Sequence, residues 1–247
     1  ELHFMPDEAA LLEGARSEAI QLVTEVAPTL LPEYAAESDI RLSASLTPQY
    51  TSLLFNTDVS SGSDRPTTSV SIRKAIAYAL DRQRLVDVSL NGQGVVFDGP
   101  YLPESWAYDT SLLTAFVPDL AQAGLLLDEA GWVRAEGQAF RQREGQQLVL
   151  TLLAYDNGRN RALAEEMTRQ LADAGIGINL TMTADWQEFG NRLATRQFDV
   201  ALTDVNPTQD PDLYDFWSQE AIVRGQNYSG WNNRRASEAL ESARQTI

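Results

Sequence analysis

The sequence has no cysteine, a single histidine and a single lysine, Lys74. Without cysteine there can be no thiolate metal site, no cysteine nucleophile and no disulfide. This suits an exported bacterial protein that does without disulfides, and a cytosolic protein could share it. The lone histidine is His3, close to the start. A histidine there is expected to be solvated surface, and neither a histidine-based triad nor a multi-histidine metal site can be assembled from it. Positive charge is scarce: 19 Lys and Arg face 35 Asp and Glu, a net charge of −16. Such a surface repels phosphate backbones, which argues against nucleic acid as a partner. It also repels anionic lipid headgroups and favours colloidal solubility. No uncharged apolar run approaches the roughly 20 residues of a membrane-spanning helix. The opening Glu1-Leu2-His3-Phe4-Met5-Pro6 has neither the basic nor the apolar region of a signal peptide. If the protein is exported, its targeting segment is expected outside this chain.

What is present is a core-forming α/β pattern. With 247 residues, 43% of them hydrophobic, the chain can bury a core as one large domain or two modest ones. Asp7 can cap a short helix through Ala9, Leu11, Leu12 and Ala15, and 19–23 reads as a strand. Pro28 and Pro32 break the chain before a short helix over 33–36. Tyr50 to Asn56 is a further strand, and Ser60 to Pro66 is the most linker-like segment. From Thr67 the apolar period becomes helical, with Ile72, Ala75, Ile76, Ala79 and Leu80 on one stripe and Thr68 or Ser69 as the cap. Leu85, Val86 and Leu90 suit a helix ended by Asn91-Gly92, and 119–130 suits another closed by Gly131.

The clearest regular unit runs from Leu148 to Val205. A strand over 148–155 precedes a helix over 160–174 with Leu163, Met167 and Leu171 inward and Gly175 as its stop. Alternating Ile176, Ile178, Leu180 and Met182 predict a strand with one buried face. Trp186, Phe189 and Leu193 predict one helix face, and 198–202 a third strand. This β-α-β-α-β order favours parallel strands. Ligands of open α/β sheets sit beyond the carboxyl ends of the strands, which directs attention to the polar loop 203–212. Its candidate contacts are Asp204, Asn206 and Asp210. The aromatics Tyr228 and Trp231, within Asn227-Tyr228-Ser229-Gly230-Trp231-Asn232, can stack on a ligand or plug the edge of the core. Trp106 and Tyr108 can likewise cover a ligand or anchor a long loop.

Several segments, in order, resemble one family. They are Tyr50 to Asn56, Ser71 to Arg82, Gly92 to Trp106 and Leu125 to Trp132, followed by Ala172 to Ile178, Phe198-Asp199, Asp210-Pro211-Asp212 and Asn227-Tyr228. Each is weak alone; together they resemble the family-five extracellular solute-binding proteins, the peptide, dipeptide and nickel receptors of bacterial ABC importers. The resemblance implies an α/β, periplasmic-binding-protein-like (type II) lobe with a mixed, mainly parallel sheet flanked by helices. It further implies that 1–57 are a residual part of a first lobe and the crossover. Residues 58–247 would then be the second, ligand-binding lobe, trimmed at its end.

The function implied is a solute receptor that closes two lobes on an oligopeptide-like ligand and docks on a permease. It would work outside the cytoplasm, as a monomer, with no cofactor and with the membrane reached only through a lipid anchor outside this chain. Peptide-binding relatives place an acid just before Asp-Pro to neutralise the peptide's amino terminus; here Pro207 occupies the nearest equivalent position. Either Asp204 takes over that contact or the ligand is not a free peptide. Two alternatives remain open at this point: a ligand-sensing lobe of a regulatory protein, and a carboxylate-dependent hydrolase using Asp204 and Asp210.

Overall fold

The computed structural model describes residues 2–59, 64–207 and 211–245. Its helices begin and end where short polar side chains and glycine permit. Asp7 accepts from the Ala10 amide at 2.8 Å and opens α1 (Glu8–Arg16). A turn over Pro28–Leu30 leads into α2 (Leu31–Ala35). The segment 19–23 does not form the expected strand: Leu22 is exposed, and the Ile20 amide instead closes the turn after α1 by bonding Gly14 O. A short β-branched run forms a strand only if an edge is free to pair with it.

β1 (Tyr50–Phe55) follows, then α3 (Val70–Ala79) and α4 (Arg82–Leu90). Ser69 precedes α3 without giving a side-chain cap; the Arg73 guanidinium reaches back instead to the carbonyls of Thr67 and Thr68 at 2.7 and 2.9 Å. Asp81 caps α4, and Asn91 ends it in the left-handed region at φ 49°. Asp119 caps α5 (Leu120–Glu129), and Gly131 follows at φ 81°, where a side chain would be strained. A small hairpin, β2 (Gln142–Arg143) and β3 (Gln146–Gln147), precedes the main unit.

That unit is β4 (Val149–Tyr155), α6 (Gly158–Asp173), β5 (Gly177–Thr183), α7 (Trp186–Ala194) and β6 (Val200–Val205). Short helices α8 (Tyr214–Trp217) and α9 (Ala221–Arg224) and the surface helix α10 (Arg234–Gln245) complete the described chain. The sheet order is β1-β6-β4-β5; β4 is parallel to both β5 and β6, and β1 is antiparallel to β6. The fold is therefore α/β with a mixed, mainly parallel sheet.

Side chains alternate across β4. Leu150, Leu152 and Ala154 join the main core with α3, α4, α5 and the Leu163, Met167 and Leu171 stripe of α6. Leu153 points the other way, into a smaller cluster with Phe189 and Leu193 of α7 and with Phe198 and Ala201. The two crossover helices thus cover opposite faces, and β5 and β6 flank β4 on opposite sides. β5 is an edge strand, so Leu180 is left exposed although its neighbours Ile178 and Met182 pack on the core. Trimming Leu152 to Ala at the centre would cost about 2–5 kcal/mol.

Candidate functional site

Because β4 sends its connection to one side and β6 lies on the other, a crevice opens beyond their carboxyl ends. α6 begins there: Asn157 caps it through the Asn160 amide at 2.8 Å, which sets Arg159 in the first turn. The Arg159 guanidinium crosses the crevice to Asp204 Oδ2 at 2.5 Å. The other oxygen of Asp204 accepts from the Thr51 hydroxyl at 2.6 Å. Thr51 is there because β1 is antiparallel to β6, in a register that sets Thr51 opposite Asp204. One step along, the Ser52 and Thr203 hydroxyls bond at 3.0 Å. Both carboxylate oxygens of Asp204 are thus engaged inside the protein.

Beside this network lies a cleft of about 500 Å³, within the usual range for small-ligand sites. Leu53 and Leu202 of the sheet, Leu85 and Val86 of α4, and Leu163 and Met167 of α6 supply apolar walls. Segment 45–47 and the loop 93–104 also line the cleft. The loop is pinned down by Tyr50, whose hydroxyl donates to Pro100 O at 3.0 Å and whose ring meets Phe97 edge-on at 5.4 Å. Burial, with a smaller contribution from Tyr101, pushes the Tyr50 phenol up to about 12, so it stays a neutral donor. Arg82 holds the loop at a second point, pairing with Asp98 at 2.8 Å and donating to Phe97 O at 3.0 Å. Gly99, at φ 85° and packed on Leu113, makes the bend between these two points.

The structure distributes the sequence-derived candidates over several places. Asp204 bridges the crevice as described, and Asn206 lies exposed just beyond the end of β6. Asp210 lies outside the described residues. Its neighbour Asp212 accepts from Arg244 at 2.6 Å and from the Tyr214 amide, at the start of α8, at 2.9 Å. Arg244 holds Asp212 below the usual carboxylate range, chiefly by that hydrogen bond. Trp106 is 80% exposed, while Tyr108 packs edge-on against Phe97 and anchors the loop.

Tyr228 and Trp231 are not brought together with Asp204. Their turn is tied to the other end of β6: Ser229 O accepts from both the amide and the hydroxyl of Thr57, at 2.8 and 3.1 Å. Tyr228 packs on the smaller core cluster, and Trp231 meets Trp217 edge-on at 6.1 Å. Sequence reasoning missed Thr51, Arg159, Tyr50 and the loop pins Arg82 and Asp98. The polar residues around Asn157 after a parallel strand were the available signal for Arg159. Nothing local signals Thr51, whose place depends on strand register.

The fold and its strand-end cleft define a periplasmic-binding-protein-like lobe. The solved oligopeptide-binding protein AppA of Bacillus subtilis, crystallised with a nonapeptide, superposes with a TM-score of 0.82 at 23% identity, covering 98% of this chain and 48% of that one. The model for bacterial extracellular solute-binding proteins, family 5 Middle, matches residues 1–222; the chain belongs to this family, whose members are solute-binding proteins rather than enzymes. The oligopeptide-binding protein AppA of B. subtilis is 27% identical over 177 residues, 70% of this chain and 32% of the relative. The nickel-binding periplasmic protein of Escherichia coli is 28% identical over 116 residues, 47% of this chain and 22% of the relative. The chain thus spans about half the length, or less, of the relatives it matches.

Proposed function

We propose that this chain is the strand-end half of a clamp that binds an oligopeptide-like solute for a bacterial ABC importer. The cleft beneath the loop 93–104 is its share of the site. Residues 1–57 belong with the first lobe and the crossover, and 58–247 form the second lobe. The observation that carries the reading is a preformed cleft of about 500 Å³, lined by apolar side chains together with polar ones such as Thr51, Ser89, Gln93 and Arg159, in a member of this family. A peptide suits such a surface, because main-chain groups can meet the polar side chains while varied side chains occupy the apolar space. Asn206 and Trp106, both exposed near the rim elements, are candidates for contacts made on closure. Asp204 contributes through its bridge to Arg159 rather than as an isolated carboxylate, and Asp210, Tyr228 and Trp231 stay as secondary candidates. The closed form docks on the permease outside the cytoplasm. Calorimetry on the intact protein with a peptide library and with nickel–histidine tests this: heat with peptides is expected, and heat with nickel–histidine alone would remove the peptide reading.

A further inference from the structure

Three charged side chains border the cleft among the described residues: Arg82, Arg159 and Glu104. Arg82 is neutralised by Asp98 at 2.8 Å and Arg159 by Asp204 at 2.5 Å. Glu104, exposed at the lip, is the one left without an ion-pair partner among the described residues. The chain around it offers no counter-charge. From Leu85 to Val133 there is no Lys, Arg or His, while Asp87, Asp98, Glu104, Asp109, Asp119, Asp128 and Glu129 are all acidic. Most of these have structural tasks: Asp98 holds Arg82, Asp109 bonds the Ser111 amide, Asp119 caps α5 and Asp128 pairs with Arg141.

The cleft therefore presents apolar walls, two arginines already satisfied, and one uncompensated carboxylate at its mouth. An opposite charge arriving there is attracted without displacing an existing pair, whereas an anionic group finds no free cation on the cleft's border. We infer that the cleft selects cationic over neutral and anionic ligands, with Glu104 as a specificity-determining residue that receives the ammonium or guanidinium of a basic side chain. This rests on the solute-binding reading above and adds the charge class of the ligand. The apolar stem of Lys or Arg would lie along the walls while its head stays at the lip.

The test uses the intact protein and three pentapeptide pools of Ala and Leu, doped at each position with lysine, norleucine or glutamate. Norleucine keeps the lysine stem and lacks its charge. The lysine pool should bind about three- to fivefold tighter than the norleucine pool, the scale of an exposed ion pair, with the glutamate pool weakest. In Glu104→Gln the lysine advantage should vanish while norleucine affinity holds, the side chain being exposed. Raising the salt should shrink the advantage in the native protein. Equal affinity for lysine and norleucine pools, a tightest glutamate pool, or an advantage that survives Glu104→Gln would overturn the inference while leaving peptide binding intact. Heat with none of the pools, but heat with nickel–histidine, would instead remove the peptide reading and this inference with it.

Discussion

The two ends of β6 use polar groups in opposite ways. At its amino end they are buried and spent on backbone. Asn56, with no exposed surface, donates to Phe198 O at 2.9 Å and to Arg196 O at 3.2 Å, and its carbonyl accepts from the Asp58 amide at 3.1 Å. Thr67 donates to Asn56 O at 2.6 Å, and the Asn227 amide donates to Ser218 O and Trp231 O at 3.0 and 2.9 Å. At its carboxyl end, Thr51, Asp204 and Arg159 bond to one another through side chains that water still reaches. A buried group bound to backbone has no cheap alternative partner, so that end fixes the fold. A half-solvated side-chain pair can exchange partners at little cost, so that end is free to meet a ligand.

Mutation can break this comparison. Asn56→Ala takes the side-chain partner from Arg196 O and from the Asp58 amide, while Phe198 O keeps its bond from Arg65 at 3.1 Å, and should cost about 2 kcal/mol, read as a lower urea midpoint. Peptide affinity of the folded fraction should be unchanged; if affinity collapsed while stability held, the assignment of the two ends would be reversed.

Arg159→Ala should lower stability by no more than about 1 kcal/mol, since the pair is partly solvated, yet change ligand preference measurably. Freed from Arg159, Asp204 becomes a second uncompensated carboxylate, so calorimetry should show tighter binding of peptides with a free amino terminus than of acetylated ones. Thr51→Val removes one partner of Asp204 and should cost about 0.5–1 kcal/mol. Combined with Arg159→Ala it should be non-additive, because both act on the same carboxylate; strict additivity in denaturation would mean that the three residues do not form a unit.

The smallest effect lies away from both ends and calibrates them. Glu166 is held down to about 2 from 4.5, first by its hydrogen bond from Arg169 at 2.6 Å and further by Gln170 and Arg84. A carboxylate with a depressed folded value stabilises the protein above its unfolded value and loses that contribution as pH falls through the folded one. Stability should therefore decline between pH 4.5 and about 2, and Glu166→Gln should flatten that slope. An unchanged slope would assign the decline to other carboxylates, Asp212 first, since Arg244 lowers it in the same way.

How much of this was legible depended on range. Helix starts are encoded locally where a cap is present: Asp7, read as a cap from the sequence, and Asp81, Asp119 and Asn157, not read so, each bond an amide three residues on. The reading of 19–23 as a strand failed because pairing needs a partner that local sequence does not name. The aromatics of the Asn227 to Trp231 turn looked suited to either core or ligand; the structure packs Tyr228 on the core and ties the turn to the end of β6 away from Asp204.

The sequence by itself determined the helix and strand periods, the β-α-β-α-β unit, the acidic surface and the family resemblance, because each is a matter of neighbours along the chain or of composition. Only the tertiary structure decided that Thr51 and Arg159 converge on Asp204, 153 and 45 residues away, and that the loop 93–104 borders a cleft on which Glu104 has no ion-pair partner among the described residues. Those facts follow from strand order and register. Both are set by burial of the whole sheet at once, and no local segment of the chain encodes them.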